Sequence, residues 1–182
     1  MGRALRIAAA LPSYARLAWW GFVAPRRERE PLVVHQAVVV SEAGVLLAMR
    51  AELRGWELPG GAALAGESGE AALRREVAEE TGLAVETLAH VGDYCRTGFR
   101  PHTARVYRCR LSGGVLRPSP ESPAVAWFDP IALPRGLFPW FRGPLSDALA
   151  ELPEPVVVRE RQGWGHVLAG LAIDLSGRWR GP

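Results

Sequence analysis

The stretch GAALAGESGEAALRREVAEETGL, from Gly61 to Leu83, decides the fold of this chain and the position of its site. Its second half carries Glu76, Glu79 and Glu80. If this half is helical, spacings of three and four residues place the three carboxylates on one face, where like charges repel by roughly 0.2–0.5 kcal/mol per pair. A bound cation would relieve that repulsion. Oxygen ligands favour Mg²⁺ first, with Mn²⁺ or Ca²⁺ behind it.

The residues around the three glutamates predict a helix between Ser68 and Gly82. Ser68 is a favourable N-cap, because its hydroxyl can accept a hydrogen bond from an early backbone N–H. Glu70 places a negative charge in the first turn, where it suits the helix dipole. Leu73 and Val77 form an apolar stripe one turn apart, and Gly82 is a typical C-cap residue. The WELPGG run before the stretch predicts a strand that ends in a glycine turn.

The same stretch resembles the Nudix box, G-x5-E-x7-R-E-U-x-E-E-x-G-U, in which U is an aliphatic residue. Every required position is filled; the matching residues are Gly61, Glu67, Arg75, Glu76, Val77, Glu79, Glu80, Gly82 and Leu83. A solvated acidic helix is the commoner meaning of a charge run. A chance match at all these positions, however, is only on the order of one in a million. The resemblance implies an α/β fold, with an α/β/α sandwich around a mixed β-sheet.

The resemblance also implies a divalent cation, Mg²⁺ or Mn²⁺, and a set of ligands for it. The implied ligands are the carboxylates of Glu76, Glu79 and Glu80 and the main-chain carbonyl of Gly60. Arg75 would orient one of these glutamates by a charge-assisted hydrogen bond, with Glu67 as its supporting partner and Gly61 in the turn. Bound cations stabilise negative charge on phosphate oxygens and make bound water more acidic. The implied activity is the hydrolysis of a phosphoanhydride bond.

Two glutamates are candidates for the general base that accepts the proton from water. One is Glu76, within the box. The other is Glu121, which lies in the loop PSPESPA, six residues before Trp127. Some relatives place a metal-binding or water-activating glutamate in the corresponding loop. The alternative for Glu121 is a solvated loop carboxylate.

The resemblance implies a nucleotide substrate, specifically a nucleoside diphosphate linked to another group, X. A nucleoside triphosphate that yields a monophosphate and pyrophosphate is the alternative within the same chemistry. A non-catalytic nucleotide sensor is a third possibility, although the complete box disfavours it. Arg50, Arg54 and Arg100 are candidates for contact with phosphate or base, and a solvated role is the alternative for each. No pattern predicts sequence-specific binding to nucleic acid.

The amino-acid composition excludes some classes of site and favours an anionic substrate. All 22 basic residues are arginine, which excludes a lysine Schiff base and a P-loop of the GK[ST] kind. Arginine offers a planar fork that suits phosphate oxygens, and the net charge of +3 is compatible with an anionic substrate. Cys95 and Cys109 have no metal-ligand spacing. We therefore expect free thiols in a reducing, cytoplasmic compartment.

The length of 182 residues predicts one principal domain with two extensions. We expect a catalytic domain over residues 32–152, an N-terminal extension of short helices over 1–31, and a C-terminal extension over 153–182 that packs on the core. In the first extension, an apolar face could pack on the domain or on a second copy in a homodimer; its members are Tyr14, Leu17, Ala18 and Trp20. The arginines and tryptophans there also resemble an interfacial membrane helix, the less favoured alternative. No stretch is long enough to span a bilayer.

Alternating and β-branched patterns predict the strands. The expected strands are 32–40, 45–50, 84–91, 103–111 and 125–129, with an edge strand at 155–161. A helix is expected at 143–152. A short helix at 162–174 is disfavoured by its glycines. His35, inside the first strand, is expected to be a structural histidine, while Trp164 and His166 could cover the substrate cleft or simply pack.

Overall fold

The computed structural model of the protein describes residues 11–22 and 32–180. The helices within these residues are α1 (Leu11–Phe22), α2 (Gly69–Thr81), α3 (Arg142–Leu149) and α4 (Trp164–Arg180). The strands are β1 (Leu32–Ser41), β2 (Gly44–Met49), β3 (Trp56–Glu57), β4 (Gly60–Ala62), β5 (Leu83–Gly98), β6 (His102–Gly114), β7 (Ala124–Phe128) and β8 (Val156–Gln162). A 3₁₀ turn over Pro139–Phe141 leads directly into α3.

The strands form one mixed sheet in the order β3-β2-β1-β6-β5-β8. Strand β4 pairs with β1, and β7 pairs with β2. The pairs β1–β6 and β5–β8 are parallel, whereas the remaining pairs are antiparallel. The predicted α/β fold around a mixed sheet is therefore confirmed.

Strand β1 lies inside the sheet and separates two hydrophobic clusters. Because successive side chains of a strand point to opposite faces, Ala37 and Val39 pack in one cluster with Leu73 and Val77 of α2. Val38 packs in the other cluster, which also contains buried side chains of α3 and the 3₁₀ turn. Burial on both faces explains why the predicted strand LVVHQAVVV is a nearly continuous apolar run. The result is a helix layer on each side of the sheet.

Both predicted caps of α2 are confirmed. The Ser68 hydroxyl oxygen accepts a hydrogen bond from the Ala71 N–H at 3.2 Å. At the other end, the Gly82 N–H donates to the Ala78 carbonyl at 2.9 Å, and Gly82 has the left-handed conformation that ends the helix. These caps fix both ends of the helix that carries the three glutamates.

Two elements are longer than the sequence patterns indicated. Strand β5 continues to Gly98 instead of ending at residue 91, because its second half pairs with both β6 and β8. Helix α4 runs from Trp164 to Arg180 despite Gly165 and Gly170. In both cases, contacts with distant segments outweigh a weak local pattern.

Helices α1 and α4 meet at Asp174, whose residue is fully buried. Its carboxylate accepts hydrogen bonds from the Tyr14 hydroxyl, the Arg54 backbone N–H at 2.8 Å and the Arg178 Nε at 2.8–2.9 Å. Burial, followed by the bond to Asp174, raises the pKa of Tyr14 to about 12, so its hydroxyl remains a donor. Arg178 also donates to the Glu52 carbonyl at 3.0 Å. This cluster ties both flanking helices to the loop after β2.

The predicted N-terminal extension is described only in part. Helix α1 agrees with the expected short helix, and Tyr14 is half-buried. The side chains of Leu17 and Trp20, together with residues 1–10 and 23–31, lie outside the described residues. Among the helices that are described, none combines the length and hydropathy needed to cross a bilayer.

The Asp174 cluster predicts a large difference between two arginine truncations. Arg178→Ala should lower the free energy of unfolding by about 3 kcal/mol, because it leaves a buried carboxylate without its counter-charge. Arg74→Ala removes the partner of Glu70 in an exposed pair with the same four-residue spacing, and it should cost less than about 1 kcal/mol. Urea unfolding measures both values. Equal losses would contradict the prediction.

Candidate active site

Gly60 and Gly61, which the sequence patterns placed in a turn, begin the short strand β4 because they pair with β1. This segment, called the glycine turn after its sequence, requires residues without a side chain. Gly60 has a φ of +142°, and a Cβ there would lie 2.0 Å from the His35 carbonyl oxygen. A Cβ on Gly61 would lie 2.4 Å from the carboxyl carbon of Glu76. The turn can therefore approach β1 on one side and the acidic face of α2 on the other.

Glu80 is the buried acid of the site. The residue is 9% exposed, and its Oε2 accepts a hydrogen bond from the Gly60 N–H at 3.0 Å. Burial is the main cause that raises the pKa of this carboxyl to about 8, with the charges of Glu57 and Glu76 acting in the same direction. Two acidic neighbours thus act on Glu80 beside the turn.

Arg75 connects the other glutamates of the box through its guanidinium group. It binds Glu67 with two hydrogen bonds of 2.9 and 3.0 Å. Its Nη1 donates to Glu76 at 2.8 Å and to Glu79 at 3.1 Å, while its Nη2 donates to the Ala62 carbonyl at 3.2 Å. The hydrogen bonds from Arg75 are the main cause that lowers the pKa of Glu67. The guanidinium group of Arg75 therefore joins helix α2 to the loop before it.

The three predicted carboxylate ligands differ in their surroundings. The side chain of Glu79 is 62% exposed, that of Glu76 is 17% exposed and held by Arg75, and Glu80 points inward to Gly60. Among the described residues, no three histidine, cysteine, aspartate or glutamate side chains converge as a metal site does. The ligand assignment to these glutamates and the Gly60 carbonyl stays a prediction.

The chemistry of this acidic group nevertheless fits a divalent cation. Carboxylate oxygens are the ligands that Mg²⁺ and Mn²⁺ prefer. The neighbouring charges of Glu57 and Glu76 oppose ionisation of Glu80, and a nearby cation would reverse that effect.

Glu57 is an acidic residue of this site that the sequence patterns did not identify. It is 7% exposed, and the Arg50 Nε donates to its two oxygens at 2.8 and 3.0 Å. The charge of Glu57 is the main cause that raises the pKa of Arg50. The sequence did contain an indication of this role. Glu57 is a charged residue in the short strand before the glycine turn, and a charged residue that becomes buried must have a partner. Arg50, a predicted substrate contact, is thus bound to an acid at the site.

The other three residues predicted to act in substrate binding or catalysis do not lie together in the structure. Arg100 lines the cavity described below, whereas Arg54 contacts Asp174 through its backbone N–H. Glu121 is exposed, and its carbonyl accepts a hydrogen bond from the Ala51 N–H at 2.9 Å. Roles for these three residues in substrate binding or catalysis stay predictions.

A cavity of about 470 Å³ opens next to the glycine turn. The residues that line it include Gln36, Glu57, Gly60 and Gly61. Its walls are largely apolar and come from β1, the 3₁₀ turn, α1 and α4; they include Phe138, Trp140, Phe141, Tyr14, Trp164 and Leu171. Apolar concave sites that end in a few polar groups are typical of small-molecule binding.

The buried Arg96 and the half-buried His102 form a polar group in the cavity wall. The His102 Nδ1 donates to the Arg100 carbonyl at 2.7 Å, and Arg96 lies 3.2 Å from its Nε2. Burial lowers the pKa of His102 to about 4, which agrees with a neutral ring between a carbonyl and a guanidinium. Arg96 also binds Glu160 and the Trp140 carbonyl, both at 2.7 Å. The wall is therefore held by internal hydrogen bonds.

The other residues singled out from the sequence have structural surroundings. His35 is buried, stacks on Tyr107 at a centroid distance of 6.0 Å, and packs beside Gly69. Cys95 and Cys109 are both free thiols. These observations agree with the structural role expected for His35 and with the expected unpaired cysteines.

The NUDIX domain profile matches residues 31–149, well over half of the chain. The chain therefore belongs to the Nudix family, as its complete box indicated. A MutT-like protein from Streptomyces ambofaciens is 50% identical over 94 residues, which cover 51% of this chain and 60% of that protein. The match thus spans less than two thirds of the relative. A Mycobacterium tuberculosis protein with the provisional name 8-oxo-dGTP diphosphatase 2 is 43% identical over 102 residues, 52% of this chain and 71% of its own length.

Two solved structures are similar to this chain in fold and, to a lesser extent, in sequence. An ADP-ribose pyrophosphatase from Streptococcus suis has a TM-score of 0.60 and 25% identity, with coverage of 72% of this chain and 100% of that one. A MutT NUDIX hydrolase from Burkholderia pseudomallei has a TM-score of 0.59 and 30% identity, with coverage of 65% and 98% respectively.

The geometry of the turn predicts that Gly60→Ala destabilises the fold by at least about 1 kcal/mol, since alanine disfavours the required φ and its Cβ meets the backbone of β1. Gly113→Ala is the matched control, because a Cβ at Gly113 has no atom within 4 Å. Urea unfolding of both variants checks the difference. The same midpoint for both would show that the turn tolerates a side chain.

The buried ring of His102 predicts a pH dependence of stability. Its pKa is about 4 in the folded protein and about 6.5 when unfolded, so the unfolded state binds more protons between these values. Its contribution is therefore present above about pH 6.5 and falls by about 1 kcal/mol on going down to about pH 5.5. In His102→Gln, the unfolding free energy should fall less over this range, with parallel curves above about pH 7. An unchanged slope in acid would contradict the assignment.

Proposed function

We propose that this chain is a divalent-metal-dependent pyrophosphohydrolase that cleaves a phosphoanhydride bond in a derivative of a nucleoside diphosphate. The observation that carries the proposal is the acidic group beside the glycine turn: Glu80 on the Gly60 N–H, with Glu57 and Glu76 as neighbours. Membership of the Nudix family supports it. The adjoining cavity has room for the rest of a small-molecule substrate.

The ligands we propose for the cation are Glu76, Glu79, Glu80 and the Gly60 carbonyl. A bound Mg²⁺ or Mn²⁺ would stabilise charge on the phosphate oxygens and lower the pKa of bound water. The chain itself contributes orientation: the Gly60 N–H fixes one oxygen of Glu80, and Arg75 fixes one oxygen of Glu76. Glu67 holds Arg75 in place from the other side. Such preorganisation reduces the rearrangement needed when substrate arrives.

For the general base we favour Glu76 over Glu121. Glu76 lies against Gly61 and Arg75, inside the acidic group, so its carboxylate is close to the proposed metal ligands. The carboxylate of Glu121 is on an exposed loop, and the backbone of that loop binds Ala51. A base must come within hydrogen-bond reach of the attacking water. Glu121 would need movement of its loop, and it remains the second candidate.

The identity of the group X divides the proposal into two substrate classes. A substrate such as ADP-ribose, with a sugar as X, belongs to the class first expected from the sequence, and the S. suis structure is titled an ADP-ribose pyrophosphatase. A nucleoside triphosphate, with phosphate as X, is supported by the 8-oxo-dGTP diphosphatase name of the Mycobacterium relatives. These relatives are more similar in sequence, so we place nucleoside triphosphates first in the substrate screen.

The free thiols of Cys95 and Cys109 support the cytoplasmic location that we propose. The nucleotide is the proposed partner. A homodimer and a membrane-surface contact through the N-terminal extension stay predictions, as do the arginine contacts to substrate by Arg50, Arg54 and Arg100.

The proposal predicts that Glu80→Gln loses at least about 100-fold in kcat/KM, more than changes outside the ligand set usually cost. The amide keeps the size of the side chain but removes the charge that would bind a cation. Glu70→Gln is the matched control on the same helix, because the Glu70 side chain is 55% exposed and pairs with Arg74. Released phosphate or pyrophosphate is measured with nucleoside triphosphates and ADP-ribose.

Metal removal provides the second arm of the same experiment. EDTA should abolish turnover by the wild type, and added Mg²⁺ or Mn²⁺ should restore it. Circular dichroism would establish that Glu80→Gln is folded. Full activity of this variant, or activity that persists in EDTA, would refute the proposed mechanism.

A further inference from the structure

Helix α4 presents an apolar face to solvent. Four of its large side chains are 41% to 68% exposed, and we call them the α4 stripe; they are Trp164, Leu168, Leu175 and Trp179. Spacings of four, seven and four residues place them along one face of the helix. The outward face of a surface helix normally carries charged residues. The segment from Trp164 to Gly177, however, contains no arginine and only one acidic residue, the buried Asp174.

The opposite face of α4 is fixed to the rest of the protein. Asp174 accepts a hydrogen bond from the Arg54 backbone N–H at 2.8 Å, and Arg178 donates to the Glu52 carbonyl at 3.0 Å. A Cβ on Gly177 would lie 2.9 Å from the Arg54 carbonyl oxygen, so the helix and this loop are in close contact. A rotation of α4 that buried the stripe would break these contacts. The apolar face therefore stays on the surface, where such a patch typically marks a docking site.

Helix α1 adds exposed apolar residues to the same part of the molecule. It is bound to α4 by the hydrogen bond from the Tyr14 hydroxyl to Asp174. Leu11 and Trp19 of α1 are both more than half exposed. The two helices that flank the family domain thus share both a buried contact and a set of exposed leucines and tryptophans.

The tryptophans favour contact with a lipid surface. Trp164 and Trp179 lie 15 residues apart at the two ends of the stripe, which is about 22 Å along a helix axis. An indole ring has an apolar body and one polar N–H, and it is enriched where a membrane meets water. A helix that lies flat on a bilayer buries a face of this kind between lipid headgroups and acyl chains.

The net positive charge of the chain is concentrated next to these helices. Residues 1–30 contain six arginines and two glutamates, whereas residues 31–182 contain 16 arginines and 17 acidic residues. Arg16 belongs to α1, and the other five arginines lie within eight residues of its ends. Chain connectivity therefore keeps all six close to α1. Each basic residue near an anionic lipid surface typically raises the affinity about fivefold.

This charge distribution favours a bilayer over a second copy of the chain. Two copies that met through their α4 stripes would bring two N-terminal segments, each with a net charge of +4, towards the same interface. Like charges brought together in this way repel each other. An anionic lipid surface instead attracts the same segment while it covers the apolar face.

We propose that the α4 stripe, together with α1 and the arginine-rich residues 1–30, docks on the surface of an anionic phospholipid bilayer. Helix α4 lies parallel to that surface with its tryptophans at headgroup level, and the arginines bind lipid phosphates. Trp164 also lines the cavity, so the docked surface adjoins the candidate active site. The inference does not depend on the proposed hydrolytic activity.

Co-sedimentation with vesicles tests the proposal on the full chain. Vesicles of phosphatidylcholine alone are compared with vesicles that also contain phosphatidylglycerol. The wild type should bind the anionic vesicles at least about tenfold more tightly, and added salt should weaken this binding because it screens the charges.

Two pairs of double variants separate the apolar contribution from the charged one. Leu168→Gln with Leu175→Gln should lower the affinity for anionic vesicles by about tenfold or more. Val115→Gln with Ile131→Gln is the matched control, because both residues are highly exposed but lie outside α1 and α4.

The second pair changes the charge. Arg26→Gln with Arg27→Gln should also lower the affinity for anionic vesicles by about tenfold or more. Arg74→Gln with Arg110→Gln is its control, because these two exposed arginines lie in the family domain. Both control variants should bind as the wild type does.

Circular dichroism, the melting temperature and nucleotide hydrolysis without lipid should be the same for all four double variants. Absence of hydrolysis in the wild type would refute the proposed function and leave the vesicle result unaffected. The docking proposal is wrong if the wild type shows no preference for anionic vesicles, or if either double variant binds them as its control does. It is also wrong if light scattering shows a dimer that only the α4 variant disrupts while no vesicle binding occurs, since the stripe would then join two copies.

Discussion

The site depends on one hydrogen bond, from the Gly60 N–H to the buried carboxylate of Glu80. This bond joins the turn after β3 to the second half of α2, so it sets the distance between the two parts of the site. It also partly offsets the burial and the negative neighbours that raise the pKa of Glu80. The conformation of Gly60 and the capped ends of α2 are what allow the bond to form. The hydrogen bond therefore holds helix α2 against the glycine turn, and the two together form the acidic site.

Arginine holds the rest of that unit together. Arg75 reaches Glu67, Glu76 and Glu79 at once because a guanidinium presents several donors in one plane. Arg50 binds both oxygens of Glu57 through a single donor, its Nε. A lysine ammonium is a point charge and could not match the several contacts of Arg75. In a chain whose 22 basic residues are all arginine, guanidinium groups hold the acidic side chains of the site in place.

Helices α1 and α4 lie outside the region that the family profile covers, yet they line the cavity beside the acidic group. The NUDIX domain profile covers the sheet, α2 and α3, which supply the acidic group and the aromatic residues of the 3₁₀ turn. The cavity beside them is closed by α1 and α4, which the Asp174 cluster binds to the loop after β2. The acidic group and part of the cavity wall therefore come from different parts of the chain.

The sequence by itself determined the elements that depend on local patterns, namely the capped helix α2 and the apolar strand β1. These follow from spacing, capping and side-chain periodicity, which act over a few residues. The mixed α/β fold was implied by the resemblance of the box to the Nudix family. Only the tertiary structure decided that Glu79 is exposed while Glu80 is buried, that Glu57 joins the acidic group, and that β5 continues to Gly98. Each of these results comes from contacts between segments far apart in the chain. Burial and pairing depend on which segments meet, and local periodicity carries little information about that choice.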